Sequence, residues 1–188
     1  MAMAAPQNPS FLSPCRRIFF TFVSMTLMTC GLQAQVAPAT SSLREAGGLK
    51  LNCPVPLAEK DAGPNEMMHG QVHYSAKTEG VEVLIVSLDY KDEVELDVEN
   101  IAQGGGANMS KLEGVTNPVV EIKSPALKGA DAARHVSFKA DRFGKILRGE
   151  NTYIKKGQHI WVVMITFEGS NKRAIFVGET ISKSIRLE

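Results

Sequence analysis

The sequence predicts an α+β protein, a sandwich built around a mainly antiparallel sheet. Two periodicities support this class. Alternation of apolar and polar residues recurs in short segments across residues 70–168, and apolar residues recur at helical spacing after Asp92 and again after Ser170. The resulting order is strands, helix, strands, helix, which differs from the regular strand–helix alternation of parallel sheets. Short turns containing Gly separate most strand segments, as hairpin connections favour.

The first predicted strands lie between residues 49 and 90. The segment LKLNCPVPL alternates briefly before prolines interrupt it, which is typical of an edge strand. GQVHYSA (70–76) and GVEVLIVSLDY (80–90) flank KTEG and therefore predict a hairpin. Both faces of the second segment are apolar towards its end, so we expect a central strand that is covered on both sides.

A helix is predicted to follow this hairpin. Asp92 and Glu95 have the spacing of a capping box, and Val98 and Ala102 belong to an apolar stripe at helical spacing. Acidic residues in the first turns also suit the helix dipole. The three glycines at 104–106 are expected to end the helix.

The C-terminal half predicts four further strands and a closing helix. The strand segments are VVEIKS (119–124), DAARHVSFKAD (131–141), KILRGENTYI (145–154) and HIWVVMITFE (159–168). In the closing helix, Ala174, Gly178 and Ile181 lie on one stripe. Ser170 or Asn171 is the expected cap of that helix.

The first 34 residues predict a secretory signal. Arg16 and Arg17 directly precede the apolar run IFFTFVSMTLMTC, which ends at Cys30. This run is shorter than the roughly 20 residues that span a bilayer. Cleavage after Ala34 would make Gln35 the first residue of the mature chain.

Alternatives for this segment stay open at the level of sequence. LMTC resembles a bacterial lipobox, in which Cys30 would be retained and lipidated. The paired arginines also suit a twin-arginine signal, and the acid-free N-terminus resembles a chloroplast presequence. The favoured location is the bacterial periplasm or cell envelope. Membrane attachment is expected only through a lipid anchor at Cys30, on the outer or the inner membrane.

Three segments are expected: the signal at 1–34, a flexible linker at 35–48 that is rich in Ala, Ser, Pro and Gly, and a single domain at 49–188.

Loss of the first 34 residues leaves 19 basic and 20 acidic side chains, a net charge of −1. Because the basic residues are scattered, the sequence argues against binding of nucleic acid.

The three cysteines predict neither a disulfide nor a reactive thiol in the mature chain. Cys15 and Cys30 lie in or beside the signal, so no intramolecular disulfide forms if Cys30 is removed. Cys53, next to a proline, is expected to be a small apolar residue on a strand. We expect no reactive thiol at this position.

Two further motifs are weak candidates for ligand binding. QGGGANMSK lacks the Gly-Lys pair of a phosphate-binding loop and the third glycine of a dinucleotide site, so no nucleotide cofactor is expected. His69 and His73 are four residues apart and would share a face of a strand. Without a nearby carboxylate or cysteine in the sequence they are a weak metal signal, and no metal site is predicted.

Catalytic residue types also occur close together. Asp131, His135 and Ser137 are those of a hydrolytic triad, but all three lie within one predicted strand. Ser137 lacks the G-x-S-x-G turn that presents a nucleophile to its substrate. The sequence therefore predicts a protein that is not an enzyme.

Several segments together resemble the PsbP/Mog1/DcrB-like domain. They are Y-x6-VEVLIVSL, a helix, VVEIKSPALKGADAARHVSFKA, an aromatic strand and a final helix ending ETISKSIRL. The resemblance covers roughly residues 49–188 and rests most on KGADAARHVSF and the terminal I-x-x-SI-x-L. It implies an α/β/α sandwich without a shared active site. Members include extrinsic photosystem subunits, periplasmic lipoproteins and a Ran-binding protein, and no site residue can be transferred from them.

Two functional hypotheses follow. The first is a non-catalytic exported envelope protein that binds an unknown protein partner or helps an assembly, as the resemblance suggests. The second is a periplasmic module for a small ligand or a metal, with His69 and His73 near a cleft between sheet and helices.

Overall fold

The structure is a computed structural model that describes residues 42–78 and 80–187. Two helices are described, α1 (Val98–Met109) and α2 (Lys172–Lys183). The strands, in chain order, are β1 (Ser42–Ala46), β2 (Leu49–Cys53), β3 (Ala58–Asp61), β4 (Met68–Thr78), β5 (Val81–Tyr90), β6 (Val115–Lys123), β7 (Ala132–Arg142), β8 (Lys145–Lys156), β9 (His159–Glu168) and β10 (Arg186–Leu187).

Seven strands form the main sheet, in the order β3-β4-β5-β9-β8-β7-β6, and all neighbours are antiparallel. The predicted hairpin between residues 70 and 90 is present, because Thr78 pairs with Val81 across its turn. β5 lies inside the sheet between β4 and β9, and most of its side chains are buried. The prediction of a central strand is therefore confirmed.

The two helices cover opposite faces of this sheet. Ala174 and Ile181 of α2 belong to one core with alternate residues of β5 and β9, such as Val83 and Ile165. The side chains that alternate with these along the strands point to the other face of the sheet. On that face Met109 of α1 packs against Phe138 of β7. The predicted α+β class and α/β/α arrangement are thus confirmed.

The start and the end of α1 both differ from the sequence prediction. The cap is Asp97, whose Oδ1 accepts hydrogen bonds from the backbone N–H groups of Glu99 and Asn100 at 2.9 and 3.3 Å. Asp92 lies in the turn before it. A carboxylate five residues closer to the apolar stripe therefore caps the helix.

The glycines at 104–106 lie inside α1 and do not end it. Gly105 contacts the sheet so closely that a Cβ atom there would overlap the hydroxyl of Tyr153. A Cβ on Gly106 would come within 3.0 Å of Val120. The glycines let the helix backbone approach β6 and β8, and this tertiary requirement overrides their low helix propensity.

A small second sheet, ordered β1-β2-β10, lies on the α2 side of the main core. β1 occupies part of the segment 35–48 predicted as a linker, so the ordered body begins before residue 49. β2 is its middle strand and not the expected edge strand. β1 contains few apolar side chains and is stabilised by main-chain hydrogen bonds to β2. Because these bonds do not depend on side chains, the pairing has no local sequence signature.

The closing helix agrees with its prediction. Asn171 is the cap, and its Oδ1 accepts from the backbone N–H groups of Arg173 and Ala174. Gly178 faces the ring of Phe167 on β9, where a Cβ atom would collide with the ring. A close helix–sheet contact through glycine therefore recurs on this second face.

The predicted signal segment, with Cys30, Ala34 and Gln35, lies outside the described residues. Within residues 42–78 and 80–187, neither helix is long and apolar enough to cross a membrane.

Candidate functional site

An open cleft of about 460 Å³ lies where α2 leaves part of β7 and β8 uncovered. One wall comes from α2 and from Ile185 just beyond its end, and the other from the connection between β6 and β7. The floor is the sheet face that carries His135 of β7 with Glu150 and Thr152 of β8. The complete lining is Pro125, Leu127, Ala133, His135, Glu150, Thr152, Glu179, Ser182, Lys183 and Ile185.

Glu150 is the centre of a polar network on this floor. It is a buried carboxylate, only 8% exposed. Its Oε2 atom accepts hydrogen bonds from His135 Nε2 at 2.8 Å and from Ser137 Oγ at 2.9 Å. The other ring nitrogen of His135 lies 3.1 Å from Thr152 Oγ1. His135 and Ser137 of β7 therefore point to the same face as Glu150, and both donate hydrogen bonds to its carboxylate.

Arg148 connects this network to the helix. One of its terminal nitrogens lies 3.4 Å from Glu150 Oε1 and 3.4 Å from Glu179 Oε1 on α2. Burial raises the pKa of Glu150, but the hydrogen bonds from His135 and Ser137, with the charges of His135 and Arg148, lower it by more. The carboxylate is ionised at neutral pH and can accept hydrogen bonds at the cleft floor.

The residue types noted as a triad do not form one. Asp131 Oδ2 accepts a hydrogen bond from the backbone N–H of Gly157, 2.7 Å away in the β8–β9 turn. His135 and Ser137 instead converge on Glu150, which no sequence motif marks. Glu150 could not be identified from its local sequence, because its role depends on the register that pairs β7 with β8.

A second polar cluster lies where the end of β5 pairs with the start of β9. Ser87 Oγ and His159 Nε2 are 2.7 Å apart, while His159 Nδ1 and Asp89 Oδ1 are separated by 3.9 Å. Burial lowers the pKa of His159, and the charge of Asp89 opposes this shift. Trp161, whose ring centroid is 4.1 Å from that of His159, donates a hydrogen bond to the Gly47 carbonyl at 2.9 Å.

This cluster has the residue types of a triad without its geometry. Ser87 is only 5% exposed, and the turn at Gly47 covers its hydroxyl, since a Cβ on Gly47 would lie 2.8 Å from Oγ. The separation of 3.9 Å exceeds the roughly 2.6–3.2 Å that a base and its orienting carboxylate require. The cluster is better suited to fixing the β1–β2 turn against the sheet.

The two histidines considered for a metal both lie on β4. The β4–β5 register shifts between Met68 and Gly70, so His69 lies in an irregularity and the alternation that would align it with His73 is broken. Burial, followed by the charge of Lys60, lowers the pKa of His73. Among the described residues, no group of three or more His, Cys, Asp and Glu side chains could hold a metal ion.

Cys53 is fully buried on β2, as the sequence predicted for a small apolar residue. Burial is the main cause that raises the pKa of its thiol. A buried thiol with a raised pKa is a poor nucleophile.

An exposed apolar surface lies at one edge of the main sheet. We call it the β6 edge, and it comprises Val119, Val120 and Ile122 of β6 with Phe143 of the β7–β8 turn. Val119 is 64% exposed and Phe143 is 71% exposed. Among the described residues, β6 pairs only with β7, so the other side of the strand has no neighbour in the sheet. Phe143 lies beside the start of β6, because Val115 pairs with Arg142. Exposed large apolar side chains along an edge strand are typical of an interaction surface.

No family model and no curated protein matches the chain. Solved structures do match. The cyanobacterial PsbP protein CyanoP from Synechocystis sp. PCC 6803 is 8% identical, with a TM-score of 0.55, over 84% of this chain and 98% of CyanoP. LpqN from Mycobacterium tuberculosis, described as involved in cell envelope biogenesis, is 11% identical, with a TM-score of 0.44, over 80% of this chain and 92% of LpqN.

The similarity to CyanoP shows that this chain has the PsbP-like fold. The resemblance to PsbP/Mog1/DcrB-like domains is therefore confirmed at the level of the fold. At this identity the similarity carries no information about ligands or partners.

Proposed function

We propose that this protein, which has a PsbP-like domain, is an exported, non-catalytic component of the bacterial cell envelope that binds a protein partner or supports an assembly. The observation that carries the proposal is the β6 edge. A partner that presents an extended strand would gain main-chain hydrogen bonds along β6 and would cover Val119, Val120 and Ile122. The predicted signal at residues 1–34 supports action in the envelope.

The proposal can be tested with a photoreactive phenylalanine analogue in intact cells. Phe143 at the β6 edge and Phe176 on the exposed face of α2 form a matched pair, because they are 71% and 70% exposed. We expect a discrete crosslinked product from position 143 and none from position 176. Equal labelling from both positions, or none from position 143, would contradict the assignment of this edge.

The absence of catalysis is a separate prediction. We expect no enzyme-like turnover of esters, phosphates or peptides by the purified protein. The decisive control is Ser87→Ala, because Ser87 and His159 are the hydroxyl and imidazole that come closest to a catalytic pair. Hydrolysis that disappears in Ser87→Ala would refute the non-catalytic proposal.

A second candidate function is binding of a small polar ligand in the cleft. The network of Glu150, His135 and Thr152 favours it, because an ionised carboxylate and an imidazole on the floor of a cavity of about 460 Å³ suit hydrogen bonding to a ligand. Native mass spectrometry and elemental analysis of protein purified from its own envelope test this candidate. A retained molecule that Glu150→Gln loses and the surface control Glu59→Gln keeps would support it. A preparation without retained ligand or stoichiometric metal would exclude it.

A further inference from the structure

We infer that the β6 edge pairs with the same strand of a second copy of this chain, antiparallel and about a two-fold axis at Ile122. This inference rests on the proposed function, because it names one occupant of the edge proposed above as a docking surface. The product would be a continuous sheet that joins the two seven-stranded sheets.

The two edges of the main sheet differ in a way that favours β6. The opposite edge, β3, has only four residues, three of which are charged, and all are exposed. Short length and charge are the features that protect an edge from pairing. β6 has nine residues and carries exposed valines and isoleucine. One edge of the sheet is therefore protected, while the other presents apolar side chains.

The irregular part of β6 limits where a second strand can pair. Asn117 has a positive φ of 51°, and the register with β7 shifts between Thr116 and Val119. Pro118, within this irregularity, has no N–H to donate. Regular pairing is thus available from Val119 to Lys123.

The charges on β6 select one register within that stretch. Glu121 and Lys123 point to the same face, are each 61% exposed, and lie 3.1 Å apart as an ion pair within the chain. An antiparallel second copy centred on Ile122 places each Glu121 opposite the Lys123 of the other copy. Opposite charges directly across an antiparallel pair stabilise it.

Neighbouring registers lack this complementarity. An axis at Glu121 would place that carboxylate opposite itself, and an axis at Lys123 would do the same with two ammonium groups. Like charges in directly opposite positions are destabilising. An axis at Val120 leaves Lys123 opposite Asn117, inside the irregular part of the strand. The register at Ile122 keeps residues 121–123 of the two copies opposite one another within β6 and forms two cross-strand ion pairs.

The inference is tested by sedimentation velocity of the purified protein at low ionic strength. The protein concentration is raised to about 1 mM, because a contact between two short strands belongs to the small, weak class of interfaces. Glu121→Lys and Lys123→Glu each convert both cross-strand pairs to repulsion. We expect at least tenfold weaker self-association for either variant alone. An equimolar mixture of the two restores opposite charges at both positions, so the heterodimer should form again.

Two controls complete the experiment. The double variant Glu121→Lys/Lys123→Glu should associate like the wild type, and Glu59→Lys on β3 should have no effect. A wild type that stays monomeric throughout, or single variants that associate normally, would overturn the inference. If the wild type is monomeric while position 143 still gives its crosslink in cells, strand self-pairing fails and the proposed function stands. If the purified wild type self-associates but position 143 gives no crosslink in cells, strand self-pairing stands and the proposed function fails.

Discussion

At the scale of single residues, two positions show how closely the helix and the sheet depend on each other. Gly104 and Gly105 are neighbours in α1, but only Gly105 faces the sheet, where Tyr153 occupies the space of a Cβ atom. Gly104 is exposed, and a Cβ atom there would contact nothing within 4 Å. The same substitution should therefore have opposite effects at adjacent positions.

We predict that Gly104→Ala stabilises the protein by about 0.5–1 kcal/mol, because alanine has the higher helix propensity. Gly105→Ala should lower the free energy of unfolding by about 1–3 kcal/mol, because overpacking against Tyr153 outweighs the gain in propensity. Urea denaturation of both variants measures this difference. Equal stabilisation by the two alanines would show that α1 does not lie as close to β8 as described.

A second prediction at this scale concerns pH. The folded state lowers the pKa of Glu150 below its ordinary value of 4.5, so the ionised carboxylate stabilises the fold above that pH. This contribution should be lost as the pH falls below 4.5 and through the lower pKa of the folded state. Glu150→Gln should therefore show a weaker loss of unfolding free energy with acid than the wild type. A Glu59→Gln control on the exposed strand β3 should follow the wild type, and identical acid profiles for all three proteins would contradict the network.

At the scale of elements, the small sheet depends on a few contacts to the main body. Trp161 donates a hydrogen bond to the Gly47 carbonyl in the turn between β1 and β2. We predict that Trp161→Phe lowers the free energy of unfolding by about 1–3 kcal/mol through the lost hydrogen bond and lost packing. Backbone amides of β1 and β2 should also exchange faster with solvent. The control Phe143→Leu, at a highly exposed position, should change stability by less than about 0.5 kcal/mol. Unchanged exchange in β1 and β2 would show that this bond does not hold the small sheet.

Elements were predictable where their signal is local. Alternation and glycine turns define β4, β5, β7, β8 and β9 in the sequence, and HIWVVMITFE matches β9 residue for residue. The predicted start of α1 was wrong because Asp97 caps the helix in place of Asp92. Its predicted end was wrong because Gly105 packs against Tyr153, about fifty residues away in the chain. β1 was missed because main-chain pairing with β2 forms it. The Glu150 network and the Ser87–His159 contact were missed for the same reason, since each requires the register of two strands.

At the scale of the whole molecule, the sequence predicts a mature chain that begins at Gln35. Mass spectrometry of protein isolated from its native cells should find Gln35 or its pyroglutamate form at the N-terminus, because Ala34 is the favoured cleavage position. A diacylglyceryl group on Cys30 would instead establish a lipoprotein. An intact precursor in the cytosol would contradict export by either route.

The central claim is that this PsbP-like domain acts through the surface of its β6 edge and not through its buried polar side chains. The most direct test is the yield of the photocrosslink from position 143 in intact cells, compared between two altered proteins. Val119→Ser/Ile122→Ser should reduce the yield at least tenfold, while His135→Asn/Glu150→Gln, at equal protein level, should leave it unchanged. The reverse result, with a crosslink that survives the edge substitutions and disappears with His135→Asn/Glu150→Gln, would contradict the account.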